Sequence, residues 1–380
     1  MILSNGKVIL ADGTVRVCDL EITDGRISRI ADKISGRERV DLSGKTVFPG
    51  FIDIHTHGAF GVRVTDENPD LTKYRRLEAT KGVTGLAITT IGTEWAELLP
   101  QYSLIAENAK IDEGARVLGI HSEPPFISRR AMGAAVPSSI ISPSIERFDE
   151  IYDVSHGLLK LITVAPEEDA AVELIRYAVS RGVVVSIGHT DATYDEAMQG
   201  IEAGATHATH TFNAMRKLHH REPGVLGAVL TDPRVKCEAI CDHVHLHPTT
   251  IKLIYRLKGA DAMIAVSDSV NVAGTDVSEF YAEGQHCTVK DGVIRLDDGT
   301  INGSAMTLLE GVQNLIRADI PLSDVAKIAS LNAAKSLGVS DLYGSIEVGK
   351  VADLAILDED LSIFATYIGG KCVFERGEAK

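Results

Sequence analysis

The sequence predicts an α/β protein: a (β/α)8 TIM barrel carrying a small β-sandwich domain built from both chain ends. Three observations carry this. Eight short apolar runs alternate with helical stretches between residues 48 and 341, a length near the ~250 residues typical of such a barrel. Both ends have another texture, of short strands broken by turn signals. Histidines and carboxylates collect at the carboxyl ends of the apolar runs, where a barrel carries its site.

Residues 1–47 contain "KVILADGTVRVCDLEITDGRISRI", with Asp12-Gly13 and Asp24-Gly25 as hairpin turns. Eight barrel strands follow: "FIDIHTHG", "GLAITT", "RVLGIHSE", "LKLITVAPE", "VVVSIGHT", "ATHATHTFNA", "KCEAICDHVH" and "AMIAVSDS". Between them lie helical patterns such as "NPDLTKYRRLEATKG", "EEDAAVELIRYAVSRG" and "TYDEAMQGIEAG". The stretch 342–380, "GSIEVGKVADLAILDEDLSIFATYIGGKCVFERGE" within it, returns to the texture of the first. The expected division is therefore 1–47 with 342–380 as the sandwich and 48–341 as the barrel. A doubly wound open sheet is disfavoured, because neither GxGxxG after the first strand nor GxxxxGK[ST] occurs.

Composition narrows the function. The 380 residues are 44% hydrophobic and carry a formal net charge of -15, with no block of lysine or arginine. Nucleic acid and anionic membrane are poor partners for such a surface, and a small molecule fits better. No apolar run is long enough for a membrane span, and the first residues lack the charged-then-apolar pattern of a secretion signal. Five cysteines without a CxxC read as reduced, mostly buried thiols, so the expected compartment is cytoplasmic.

The strand ends hold the chemistry. The first run ends in His55 and His57, the third in Glu123, the fifth in His189, the sixth in His210 and the eighth in Asp268. Residues two apart on a strand share a face, so His55 and His57 can grip one cation, and His121 sits a layer below Glu123. Imidazole and carboxylate together suit zinc, iron, manganese or a similar divalent ion, and six ligands allow two ions sharing a carboxylate. A divalent metal brings the pKa of water down to about 7, and a neighbouring carboxylate can pass a proton to a leaving amine. That constellation suits hydrolysis of a C–N bond. Other residues read as structural: His207 as a hydrogen-bonded residue, His219 and His220 as a solvated loop, His156 and His286 as surface, Cys237 and Cys241 as core.

Together, "PGFIDIHTHG", the strand-end glutamate, the two later histidines and the final aspartate resemble the metal-dependent amidohydrolase superfamily. "HSEPPF", "GHTDA", "THTFNAM", "REPG" and "NGSAMTLLEGVQN" resemble, over nearly the full length, the N-acetylglucosamine-6-phosphate deacetylase family. The resemblance implies one or two divalent metal ions held by His55, His57, Glu123, His189 and His210, with Asp268 as general base and then acid. It implies that Asn213 and Ala214 contact the sugar phosphate, that Ala134 binds substrate, and that Ile301, Asn302 and Gly303 line the sugar pocket. It further implies that Arg221 and His245 meet the phosphate, Arg221 across the interface of a homodimer. The implied reaction releases acetate from a small phosphorylated amino sugar.

The chain departs from that pattern at Pro124, where glycine is usual, at Ala135, where histidine is usual, and at His243, where glycine is usual. None is a metal ligand, so the departures bear on the sugar rather than on hydrolysis. Another amidohydrolase reaction, by a cyclic amidase or an N-acyl amino acid hydrolase, is the alternative.

Overall fold

The computed structural model describes residues 1–377, so the last three residues of the stretch 342–380 lie outside it. Eight parallel strands lie side by side in chain order: Phe51–Thr56, Val83–Thr89, Arg116–Ser122, Leu159–Val164, Val184–Ile187, His207–Ala208, Lys236–Ile240 and Met263–Val266. These are the eight runs named from sequence. The eighth meets the first at the mouth, where Asp268 N donates to His55 O and His57 N donates to Ser269 O, each at 2.8 Å. That closure puts two predicted ligands and the predicted base on one seam.

Helices lie between the strands because their apolar residues recur at helical spacing and pack outward-facing strand residues. Leu71–Ala79 is capped by Asp70, whose side chain accepts from Lys73 N, and buries Leu71 and Tyr74. Ala171–Ser180 buries Leu174, Ile175 and Ala178. Tyr194–Glu202 starts on a capping box formed by Thr193 and Glu196. All three fall inside the helical stretches read from sequence.

The chain ends share a separate sheet of eight strands. Its order runs Lys371–Glu375, Ile363–Ile368, Leu354–Leu357, Thr46–Pro49, Ile2–Ile9, Val15–Thr23, Arg26–Ala31, with Arg39–Asp41 also paired to Ile2–Ile9. Leu354–Leu357 runs antiparallel to Thr46–Pro49, which joins the two ends. Leu3, Val8, Leu20, Val47, Leu354 and Ile356 form a core of their own there. Asp24 and Gly25 both take positive φ, as a two-residue hairpin turn on right-twisted strands requires.

One element stands outside the expected scheme. After the eighth barrel strand, Glu279–Ala282, Gln285–Lys290, Val293–Leu296 and Ile301–Ser304 form a four-stranded antiparallel sheet. Its tight turns, Glu283-Gly284 and Asp291-Gly292, all sit at positive φ. Its strands are short and mixed in polarity, so no hydrophobic period marks them, although the turn signals are present. Ser304 N donates to Asp268 O at 2.8 Å, which docks this sheet on the end of the eighth strand.

Candidate metal centre and substrate cavity

The predicted metal residues meet at the barrel mouth. His189 Nε2 and His210 Nε2 stand 3.0 Å apart, and lie 3.3 and 3.2 Å from Glu123 Oε1. On the other carboxylate oxygen, His55 Nε2 lies 2.6 Å and His57 Nε2 3.6 Å from Glu123 Oε2. Asp268 Oδ1 faces His57 Nε2 at 3.2 Å and His55 Nε2 at 3.5 Å. His55, His57, Glu123, His210 and Asp268 are buried, and His189 is half-buried at the cavity side.

Burial pushes the Glu123 carboxyl up, but the His55 and His210 imidazoles outweigh it and hold it well below the usual range. Asp268 follows the same balance, with His55 and His57 opposing burial. The backbone is strained at the same places: His189, His210 and Asp268 take φ of 47, 27 and 49°. Left-handed backbone at bulky residues costs energy and concentrates at functional sites.

The donor set fits a cation. His55 Nε2 and Glu123 Oε1 are buried without a hydrogen-bond partner among the described residues, although ligand atoms crowd around them. Two compact groups offer themselves, His55 with Glu123 and His210, and His55 with His57 and Asp268, their atoms within 4.8 Å of one another. Lone pairs facing one another in a buried site are costly, and a divalent ion turns the repulsion into coordination.

A third grouping, His55 with His121 and Glu238, is of another kind. His121 Nδ1–H donates to Ile54 O at 3.1 Å, and Nε2 takes the Thr163 hydroxyl at 2.8 Å. Burial brings its pKa down to about 4, so it is a neutral, fully used structural residue. Glu238, absent from the sequence prediction, lies fully buried on the seventh strand. Its carboxylate accepts from His55 Nδ1 at 3.0 Å and from His210 N at 3.2 Å. It thereby fixes the His55 tautomer that presents Nε2 to the centre. A lone carboxylate inside "KCEAI" was the signal available. Glu238→Gln is expected to weaken metal affinity ~10–100-fold, the usual cost of losing such an outer partner. Chelator competition measures it, and affinity within about twofold of wild type would remove this role.

A cavity of about 320 Å³ opens beside the cluster. His57, Glu123, His189, His210 and Asp268 line its base, and Ala134, Asn213, Ala214, His245 and Ile301, Asn302, Gly303 line its walls. Asn213 Nδ2 donates to His210 O at 3.1 Å. Gly303 is needed as glycine: at φ 60° a Cβ would lie 2.6 Å from Val270 Cγ1. Gln285 Nε2 donates to Ala134 O at 2.9 Å, tying the four-stranded sheet to the opposite wall. Burial pushes the His245 imidazole down, but Asp242, 2.7 Å from its Nδ1, outweighs it and raises its pKa.

Of the predicted residues, His55 lies fully buried behind the cavity lining, and Arg221 is not brought to the cavity of its own chain. It is exposed and contacts His219 and His220. Pro124 and Ala135 do line the cavity, whereas His243 is exposed at φ 65°, a backbone angle that suits glycine. His207 is buried against Ser336 Oγ at 2.7 Å, and Cys237 and Cys241 are buried, as expected.

Residues 46–373 match the amidohydrolase family. The chain is 36% identical to the N-acetylglucosamine-6-phosphate deacetylase of Bacillus subtilis (strain 168), over 94% of this chain and 93% of that one. It is 30% identical to the N-acetylgalactosamine-6-phosphate deacetylase of Escherichia coli O157:H7, over 97% and 98%. Among solved structures, the N-acetyl-D-glucosamine-6-phosphate deacetylase of Mycobacterium smegmatis, in complex with N-acetyl-D-glucosamine-6-phosphate, superposes with a TM-score of 0.92 at 31% identity, covering 98% of this chain and 99% of that one.

Proposed function

The chain belongs to the amidohydrolase family, and on that premise we propose that it hydrolyses the acetamide of N-acetylglucosamine 6-phosphate to acetate and glucosamine 6-phosphate. The observation that carries the reading is the meeting of His57, Glu123, His189 and His210 at the base of one cavity, with His55 buried behind them and Asp268 beside them. The histidines and Glu123 would hold one or two divalent ions, with Glu123 facing both groups of histidines. A bound divalent cation polarises a carbonyl and acidifies water.

The chain's own residues do the rest. Asp268 takes a proton from the attacking water and returns it to the amine as the C–N bond breaks, so the carboxylate is regenerated. His57 and His55 hold the Asp268 carboxylate toward the centre. Asn213, Ala214, Ala134 and the segment 301–303 shape the sugar site. His245, kept protonated on Nδ1 by Asp242, supports a phosphate contact. We take the chain as a sandwich of 1–47 with 342–380 on a barrel of 48–341, working in the cytoplasm as a homodimer. No helix of the described residues is long and apolar enough to cross a membrane.

Acetate release from N-acetylglucosamine 6-phosphate, its galacto epimer and unphosphorylated N-acetylglucosamine tests the reading. Turnover of the first well above the third is expected, and no turnover of either phosphorylated sugar would sink it. The epimer belongs in the panel because Pro124 and Ala135 change the cavity wall. Arg221, exposed in one chain, would reach the phosphate of a partner copy. Arg221→Ala is then expected to lower kcat/KM for the phosphorylated sugar ~10–100-fold, the loss of one charge-assisted contact. An equal loss on the unphosphorylated sugar would remove that role.

A further inference from the structure

Arg63 is the sole lysine or arginine among the described residues lining the cavity. It closes a short hairpin, Gly58–Ala59 with Val62–Arg63, that begins one residue after His57. The hairpin is held firmly: Val64 N donates to His57 O, Phe60 N to Ala273 O and Gly61 N to Asn271 O. Gly58 permits the crossing, since a Cβ there would lie 2.2 Å from Val62 O. Across the cavity wall the Arg63 guanidinium pairs with Glu283. Among the described residues this ion pair is its one side-chain polar contact, and the side chain is only 20% exposed. A guanidinium carries five donors, and the Glu283 pair takes up only part of that capacity.

Glu283 is unusual in its own right. It is the first central residue of a two-residue turn at φ 45°, a position that favours glycine, asparagine or aspartate. The remaining acids of the cavity, Glu123 and Asp268, face the metal residues. With Arg221 outside, Arg63 is the one permanent cation that the described residues of this chain offer a substrate there.

We propose that Arg63 is a specificity-determining residue, which leaves Glu283 to bind the phosphate of the substrate from within the same chain. This rests on the proposed deacetylation of a phosphorylated amino sugar and names the residue that reads the charge. A phosphate presents planar pairs of oxygens to a guanidinium fork, which makes it the stronger partner of the two. Glu283 keeps the fork oriented and partly neutralised while the cavity is empty.

The two partners separate this role from a mere latch. Arg63→Ala is expected to lower the preference for N-acetylglucosamine 6-phosphate over N-acetylglucosamine, as a ratio of kcat/KM, by about tenfold or more, with Arg63→Lys in between. Glu283→Gln is expected to leave that ratio equal or raise it. A latch predicts the same change in both variants, and that result, or an unchanged ratio in Arg63→Ala, would overturn the proposal. Calorimetry with glucosamine 6-phosphate against glucosamine provides an arm independent of turnover. A wild type that releases no acetate defeats the proposed reaction, whereas loss of the phosphate preference in binding by Arg63→Ala still upholds Arg63. Equal binding by wild type and Arg63→Ala defeats Arg63 alone.

Discussion

Asp268→Asn is expected to lower acetate release by about 10²–10⁴-fold while the protein still binds N-acetylglucosamine 6-phosphate. The amide keeps the shape of the carboxylate and can still meet His57, but it cannot accept a proton at neutral pH. General acid–base transfer by one positioned group is worth about that factor. Asp268 is the suitable group by position. It sits at the end of the eighth strand, at φ 49°, buried, with Oδ1 3.2 Å from His57 Nε2. Its backbone is pinned on both sides, by Asp268 N to His55 O and by Ser304 N to Asp268 O, each at 2.8 Å. A carboxylate held this tightly on the barrel seam loses little entropy at the moment of transfer. Single-turnover acetate release and calorimetric binding check the two halves of the expectation. Loss of binding together with turnover would make Asp268 a binding residue instead.

The barrel was legible because its strands are buried on both faces and read as continuous apolar runs, while its helices show a helical period. Phe51–Thr56 and Val83–Thr89 are buried along their whole length. The candidate metal residues were legible for a related reason: histidine and glutamate at the end of such runs have no hydrophobic explanation. The four-stranded sheet at 279–304 was not read, since half-exposed strands such as Gln285–Lys290 carry no clean period. Its DG and EG turns were the only trace.

Glu238 and Arg63 escaped for a different reason. Glu238 lies inside a strand, not at its end, and its meaning depends on His55 arriving from 183 residues away. Arg63 sits in a loop-like stretch, and only the folded chain shows that Glu283 faces it. Motif matching found Arg221 through its neighbours, yet the fold leaves it on the surface of its own chain. Local pattern thus reports what a residue is, and long-range contact decides which cavity it serves.

Glu123→Gln is expected to lower metal affinity by more than ~100-fold, beyond the upper end for an outer partner such as Glu238. The reasoning is geometric. Glu123 Oε1 faces His189 and His210, and Oε2 faces His55 and His57. One carboxylate therefore serves both histidine pairs, and an amide offers only one oxygen and no charge. The remaining histidines keep Asp268, which faces one pair only. The same change should appear in stability. An ion present at about 100 times its dissociation constant stabilises the folded chain by about 2.7 kcal/mol. Wild-type protein is thus expected to unfold at a lower temperature after chelation, and to recover on adding back the metal. Glu123→Gln should show a much smaller difference with and without chelator, because at the same ion concentration it holds far less of the ion. Elemental analysis and thermal unfolding, each with and without chelator, give the two readings on the same samples. A variant that retains its metal and its chelator-dependent shift would mean that the histidines alone hold the ion. The shared carboxylate would then have no part in bringing the two groups together.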